Sequence, residues 1–169
     1  AKMLFARLID QQGRHDLREN QARALAQFGE VLAEHGAMTD AITEFTQAIG
    51  RYTILVDKGR TALAPNLARA RKGRGTSHAA QRKWQEAMQD LSAAIGIYAP
   101  LVEEDGRQDL AYDYAPTLRQ EAKVLLQQGN AQRALIDLDN AIHLLSHLAE
   151  SNKQEESLED LAAAYEQRA

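Results

Sequence analysis

The nine residues AITEFTQAI at 41–49 return as AMQDLSAAI at 87–95 and again as ALIDLDNAI at 134–142. Each copy sets Ala, a bulky apolar residue and Ala at i, i+4 and i+7: Ala41/Phe45/Ala48, Ala87/Leu91/Ala94 and Ala134/Leu138/Ala141, followed by Ile49, Ile95 or Ile142. That spacing lines one face of an α-helix, so each copy predicts an amphipathic helix with small residues where a neighbour approaches closely. The copies stand 46 and 47 residues apart, and a fixed period of this size indicates an array of like helical units.

A second motif keeps the same period. RLIDQQGRHDL at 7–17 recurs as PLVEEDGRQDL at 100–110, with a shortened form, ILVDKGRTAL, at 54–63 and a looser copy ending in LEDL at 158–161. Glycine gives an independent ruler, because helices commonly end on a left-handed residue that Gly, and less often Asn, adopts at low cost. Gly13, Gly36, Gly59, Gly106 and Gly129 are separated by 23, 23, 47 and 23 residues. The same ladder expects stops near Arg82 and Asn152; Asn152 suits the role and Arg82 departs from the rule. Half a period is therefore one helix of roughly 28 Å plus a tight turn. Eight helices are expected, at 2–12, 15–35, 38–57, 61–81, 84–104, 108–128, 131–150 and 156–168. Pro65 falls in a first turn, where a missing N–H is harmless, whereas Pro100 and Pro116 are expected to kink or break their helices.

Composition agrees with an all-α chain. Of the 169 residues 44% are hydrophobic and only 5% aromatic, with three Pro and no Cys. The mixture of Ala, Leu and Ile favours helix over strand. The absence of cysteine removes disulfides, zinc–thiolate sites and thiol nucleophiles, and the expected setting is the cytoplasm. No apolar run approaches the ~20 residues that cross a bilayer, so no membrane role is expected. The net charge of −4 conceals a division, since residues 58–85 hold eight Lys/Arg and no Asp or Glu, leaving −12 for the remainder.

Counting back twelve residues from Ala41, Ala87 and Ala134 gives Gly29, Gly75 and Ala122, and Gly36 and Gly129 fall at the turns. In these positions the chain resembles the tetratricopeptide repeat (TPR) family, as a long-repeat variant of about 46–47 residues covering nearly the whole sequence. The resemblance implies a right-handed superhelical solenoid of antiparallel helix hairpins. Residues 1–13 would end a preceding repeat, 14–59, 60–106 and 107–152 would form three repeats, and 153–169 would begin a further repeat or a cap. It also implies that the first helix of each repeat lines a concave face that binds a protein or peptide, without catalysis or cofactor.

Carried over by register, the concave positions include Arg23 and Glu30 in the first repeat, Arg69, Lys72 and Thr76 in the second, and Arg119, Lys123 and Gln127 in the third. Arg69, Lys72, Arg119 and Lys123 would gather on adjacent inner helices, which suits an acidic or carboxylate-bearing peptide. The chaperone-tail clamp of some members needs Lys, Asn and Arg where this chain has Ala26, Glu30, Gly73, Pro116 and Gln120, so that ligand is disfavoured. The same cations also read as solvated side chains on polar helix faces.

Two further functions stay open: nucleic-acid or anion binding through the basic segment RARKGRGTSH at 69–78, and self-association through the ends of the stack. Against nucleic acid stand the acidic remainder of the chain and the lack of aromatic residues in that segment for base stacking. In the alternative structural reading, Arg74 and Gly75 match the Arg-Gly pair of many such repeats, and Arg71 pairs with acids on neighbouring helices. GRGT at 73–76 lacks the GxxxxGK[ST] spacing of a phosphate loop. His143 and His147 stand one turn apart without an HExxH pattern, and no GxSxG elbow is present. Trp84 is expected to pack into its hairpin.

Overall fold

The structure, a computed structural model, describes residues 15–152, 163–164 and 166–168. Among them all regular structure is helical: α1 His15–Glu34, α2 Met38–Asp57, α3 Ala64–Ala80, α4 Trp84–Glu103, α5 Ala111–Gln127 and α6 Ala131–Asn152. The expected bounds of these six are met closely, except that the segments expected at 61–81 and 108–128 each open on a separate 3-10 turn, Thr61–Leu63 and Gln108–Leu110. In each turn the last residue is a buried leucine whose N–H donates three residues back, Leu63 to Arg60 O and Leu110 to Arg107 O, both at 3.0 Å. The expected helix 2–12, with the unit at 1–13, lies outside the described residues. So does most of 153–169, where 163–164 and 166–168 are helical.

The helix ends follow the glycine ladder. Gly36, Gly59, Gly106 and Gly129 all have positive φ, and Arg82 takes the same left-handed conformation at φ 59°. The backbone wraps identically at both kinds of residue: Lys83 N donates to His78 O at 3.0 Å, as Ala37 N does to Leu32 O and Asn130 N to Leu125 O at 2.9 Å. These bonds satisfy carbonyls of the last turn. A left-handed L-residue costs roughly 1–2 kcal/mol, so at Arg82 the architecture overrides local preference.

Of the kink or break expected at the two internal prolines, no break occurs. Pro100 lies near the end of α4, where Glu104 N and Asp105 N still close on its carbonyl at 3.0 and 3.1 Å. Residue 96, four positions earlier, is a glycine. Pro116 lies in the second turn of α5, flanked by buried Ala115 and Thr117, and the helix runs on to Gln127. Tertiary packing on both neighbours of Pro116 outweighs the one lost ladder bond.

Each helix packs on the next in sequence, and α1 also touches α3, as α3 touches α5. The first helices of the three pairs thus stand side by side. Ala41, Ala87 and Ala134 are fully buried, as are Phe45, Leu91 and Leu138 to within 1%. Tyr98 and Tyr114 pack with ring centroids 6.2 Å apart. The Tyr98 hydroxyl donates to Pro65 O at 3.4 Å, which ties α4 to the start of α3.

Helix α3 is poor by propensity, with Gly73 and Gly75 in its interior and few apolar residues. It exists because its neighbours need its small residues. A Cβ on Gly73 would sit 2.4 Å from Cζ of Phe45 in α2, and one on Gly75 would sit 3.0 Å from Leu91 Cγ and 3.2 Å from Ala87 O in α4. Arg74 clamps α4 by two bonds of 2.7 Å to the buried Asp90, and Arg71 lies 3.7 Å from the same carboxylate. Ser77 Oγ donates to Gly73 O at 2.8 Å. On helix propensity alone Gly73→Ala would stabilise by ~1 kcal/mol. The Phe45 ring reverses that sign: the substitution is expected to destabilise by about 1–3 kcal/mol through overpacking, and Phe45→Leu is expected to recover part of the loss in the double variant. Denaturant unfolding of the four-member cycle checks this, and additive effects would contradict it.

Candidate functional site

Along the row α1, α3, α5 run two adjoining cavities. The first, of about 450 Å³, lies between α1 and α3, with Glu30 and Glu34 on one wall, Arg69, Lys72 and Thr76 on the other, and Phe45 lining it from α2. The second, of about 440 Å³, lies between α3 and α5, with Thr76 and Ala80 facing Lys123, Val124 and Gln127 above Trp84. Thr76, Ala80 and Gln120 line both, so the two form one groove. The residues that open the second helices, Met38 and Trp84, take equivalent places 46 residues apart, which is why the sequence period produces two similar hollows.

Of the eight residues expected at a binding face, the groove brings together Glu30, Arg69, Lys72, Thr76, Lys123 and Gln127. Arg23 and Arg119 do not line either cavity. Arg23 is engaged by Glu19 one turn earlier at 2.9 Å, and Arg119 Nε donates to Gln167 Oε1 at 3.0 Å. Of the four cations expected on one wall, Arg69, Lys72 and Lys123 line these two cavities and Arg119 does not. Nor are Arg69 and Lys72 uncompensated: Arg69 Nη2 lies 2.5 Å and Lys72 Nζ 3.6 Å from the carboxylate of Asp113 on α5. The Asp113 hydrogen bond holds the Arg69 guanidinium above its ordinary pKa. Lys123 is exposed and makes no ion pair among the described residues. Asp113 is the residue that sequence reasoning missed. Its signal was present, because a one-period shift from Arg69 leads to Pro116, and Asp113 stands one turn before Pro116 on the adjacent first helix.

Most cations of the basic segment face acids on other helices. Of the eight cations at 58–85, Arg60 pairs with Glu19, Arg69 and Lys72 with Asp113, and Arg71 and Arg74 with Asp90. His143 and His147 lie apart from the groove, on a cavity shared with Glu103 and Gln108, and no metal-binding group of three ligands occurs among the described residues.

A second charged cluster lies behind the groove. In the middle pair the equivalent positions 74 and 90 hold the Arg–Asp bridge; one period on, the same positions hold Glu121 and Asp137, two carboxyls. Glu121 is 4% exposed and accepts the Ser92 hydroxyl from α4. Asp137 Oδ2 is buried without a hydrogen-bond partner. Burial first, and the Glu121 charge second, push the Asp137 carboxyl up to about 6, opposed by Arg133 on its own helix.

No protein-family model matches the chain, and no curated protein is significantly similar to it.

The raised Asp137 carboxyl fixes the sign of a pH effect. The folded state holds this proton more tightly than the unfolded chain, where the value is 3.8, so the neutral form favours folding and its contribution is lost as pH rises through about 6. Asp137→Asn is expected to stabilise by about 1 kcal/mol at pH 7, after discounting for partial solvent contact, and to have little effect at pH 4. Urea unfolding at the two pH values checks it; an equal effect at both would contradict the assignment.

Proposed function

We propose that the chain is a TPR-like helical solenoid that binds a protein or peptide segment along the groove of its first helices, and that the segment carries carboxylates. The observation that carries this reading is the continuity of the groove: three helices separated by a full sequence period contribute to one channel, and Thr76, Ala80 and Gln120 belong to both of its halves. An extended chain is the ligand that such a surface accommodates, with polar side chains on the walls and Phe45, Met38 and Trp84 supplying apolar contact.

Lys123 is the primary cation of this reading, and Arg69 and Lys72 are secondary, because an incoming carboxylate must replace Asp113 beside them. Nucleic-acid binding is the weaker reading, since five of the eight cations in the basic segment already face acids. Self-association keeps one specific support: Phe28 and Val31 of α1 are 54% and 48% exposed. They stand one period before Arg74 and Ser77, which pack against neighbouring helices. A mass that rises with concentration and returns to the monomer value in Phe28→Ser would favour it.

The test of the peptide reading uses acidic peptides enriched on the protein from a random library, with affinity read by anisotropy of the labelled peptide. Loss of a charge-assisted hydrogen bond is worth about 1.5–3 kcal/mol, so Lys123→Ala is expected to weaken binding more than tenfold. Lys58→Ala, at a helix end outside the groove, is expected to change it less than twofold. Asp113→Asn is expected to strengthen binding by freeing Arg69 and Lys72. Equal small losses for Lys123→Ala and Lys58→Ala would leave only diffuse electrostatics and overturn the reading.

A further inference from the structure

The half of the groove between α3 and α5 differs chemically from the half between α1 and α3. Its lining is mostly apolar, with Ala79, Ala80, Trp84, Val124 and Leu126, and its only charged lining residue is Lys123. The other half carries Glu30 and Glu34 opposite Arg69 and Lys72. Trp84 stands at the floor, half-buried against the cluster of Ala87, Leu91 and Val124, and lines the cavity as well. Leu126, at the lip, is 42% exposed. An exposed leucine beside a half-buried tryptophan in a hollow of about 440 Å³ is surface that an apolar side chain can cover. Lys123 on the rim then lies beside whatever follows that side chain along the ligand.

We propose that this hollow is the anchor socket of the groove, taking one leucine-like or aromatic side chain of a peptide whose adjacent residue places a carboxylate on Lys123. The proposal rests on the groove being the binding surface and adds to it a specific requirement, an apolar residue next to an acidic one. Charge selects the site: Lys123 is the groove cation that no acid of the described chain engages, whereas Glu30 and Glu34 repel a carboxylate at the other end. Chemistry selects the anchor, because Thr76, Gln120 and Gln127 give the hollow hydrogen-bonding edges around a floor that is apolar apart from the indole N–H of Trp84.

Trp84 is the one tryptophan of the chain, so its emission reports on the socket alone. Random dodecapeptides displayed on phage are selected on the full chain, and the enriched peptides, made without tryptophan, are titrated by anisotropy and by Trp84 emission in parallel. The expected result is enrichment of Leu, Ile or Phe beside Asp or Glu, with a saturable blue shift of Trp84 at the same midpoint as the anisotropy. Replacing the apolar residue by Ala is expected to weaken binding at least tenfold. Lys123→Gln is expected to remove the preference for Glu over Gln in the ligand, and Leu126→Gln to weaken binding while the helical circular dichroism stays unchanged. Peptides that bind by anisotropy and lose affinity in Lys123→Gln, yet leave Trp84 emission and Leu126→Gln affinity unchanged, would overturn the socket and keep the groove. Enrichment of no peptide at all would overturn both.

Discussion

The ring of Phe45 is the contact on which the arrangement of the first helices depends. It projects from α2 between two glycines that belong to different helices, Gly29 of α1 and Gly73 of α3, where an added Cβ would approach to 3.0 and 2.4 Å. Those distances mean that both helices lie close against the ring: a side chain at Gly73 would force a shift, and one at Gly29 would need the ring to give slightly. Because both helices are gauged against one rigid ring, the spacing between them is fixed, and that spacing is the width of the cavity Phe45 lines. Gly75 sets α3 against α4 in the same way, through Leu91 and the Ala87 carbonyl. The glycines that make α3 a weak helix in isolation are thus the residues that let it serve as the shared wall of both cavities.

This explains why the backbone was more legible in the sequence than the side-chain pairing. Helix positions follow from a stripe of Ala, Phe or Leu, and Ala, and the ends follow from the left-handed ladder, so both are local patterns. Arg82 is the instructive case: its residue type argued against a stop, its place in the ladder argued for one, and the backbone takes φ 59° there. Period outweighed propensity because the preceding and following helices must turn within a fixed distance. Pro100 and Pro116 were expected to kink or break their helices, and neither helix is broken, because the tertiary contacts that a rule for isolated helices leaves out hold α4 and α5 through those points. The pairing of Arg71 with an acid of a neighbouring helix was legible because it joins helices of one pair, whereas the tighter Arg74 clamp on Asp90 was not read from the sequence. Asp113 was harder to see, as it reaches across pairs with an offset of one helical turn from the period.

The repetition of backbone without repetition of side chains is what gives the molecule its chemical asymmetry. Positions 28, 74 and 121 are equivalent by period, yet hold Phe, Arg and Glu, and their partners at 44, 90 and 137 are Glu, Asp and Asp. The middle copy resolves to a bidentate ion pair, the last to two carboxyls with one oxygen unpartnered, and the first to an exposed aromatic ring. Packing geometry at these sites is dictated by the small residues around them, Gly29, Gly75 and Ala122, so the position tolerates a change of charge that a less constrained helix contact would not.

The same constraint separates net charge from binding charge. A segment of eight cations without an acid reads in one dimension as a basic patch, but packing places Asp90 under Arg71 and Arg74, and Asp113 beside Arg69 and Lys72. Two carboxylates, each contributed by a different helix, engage four cations, and in doing so they join α3 to α4 and to α5. Part of the segment's charge is therefore structural, although two carboxylates offset only two of those four cations. On the proposed peptide reading, what remains to act on a ligand is set by position: Lys123 comes from α5, outside the basic segment altogether, and it overlooks the apolar half of the groove because a one-period shift from Thr76 leads to it. Selectivity in such a surface comes from the few side chains that the internal pairing leaves over.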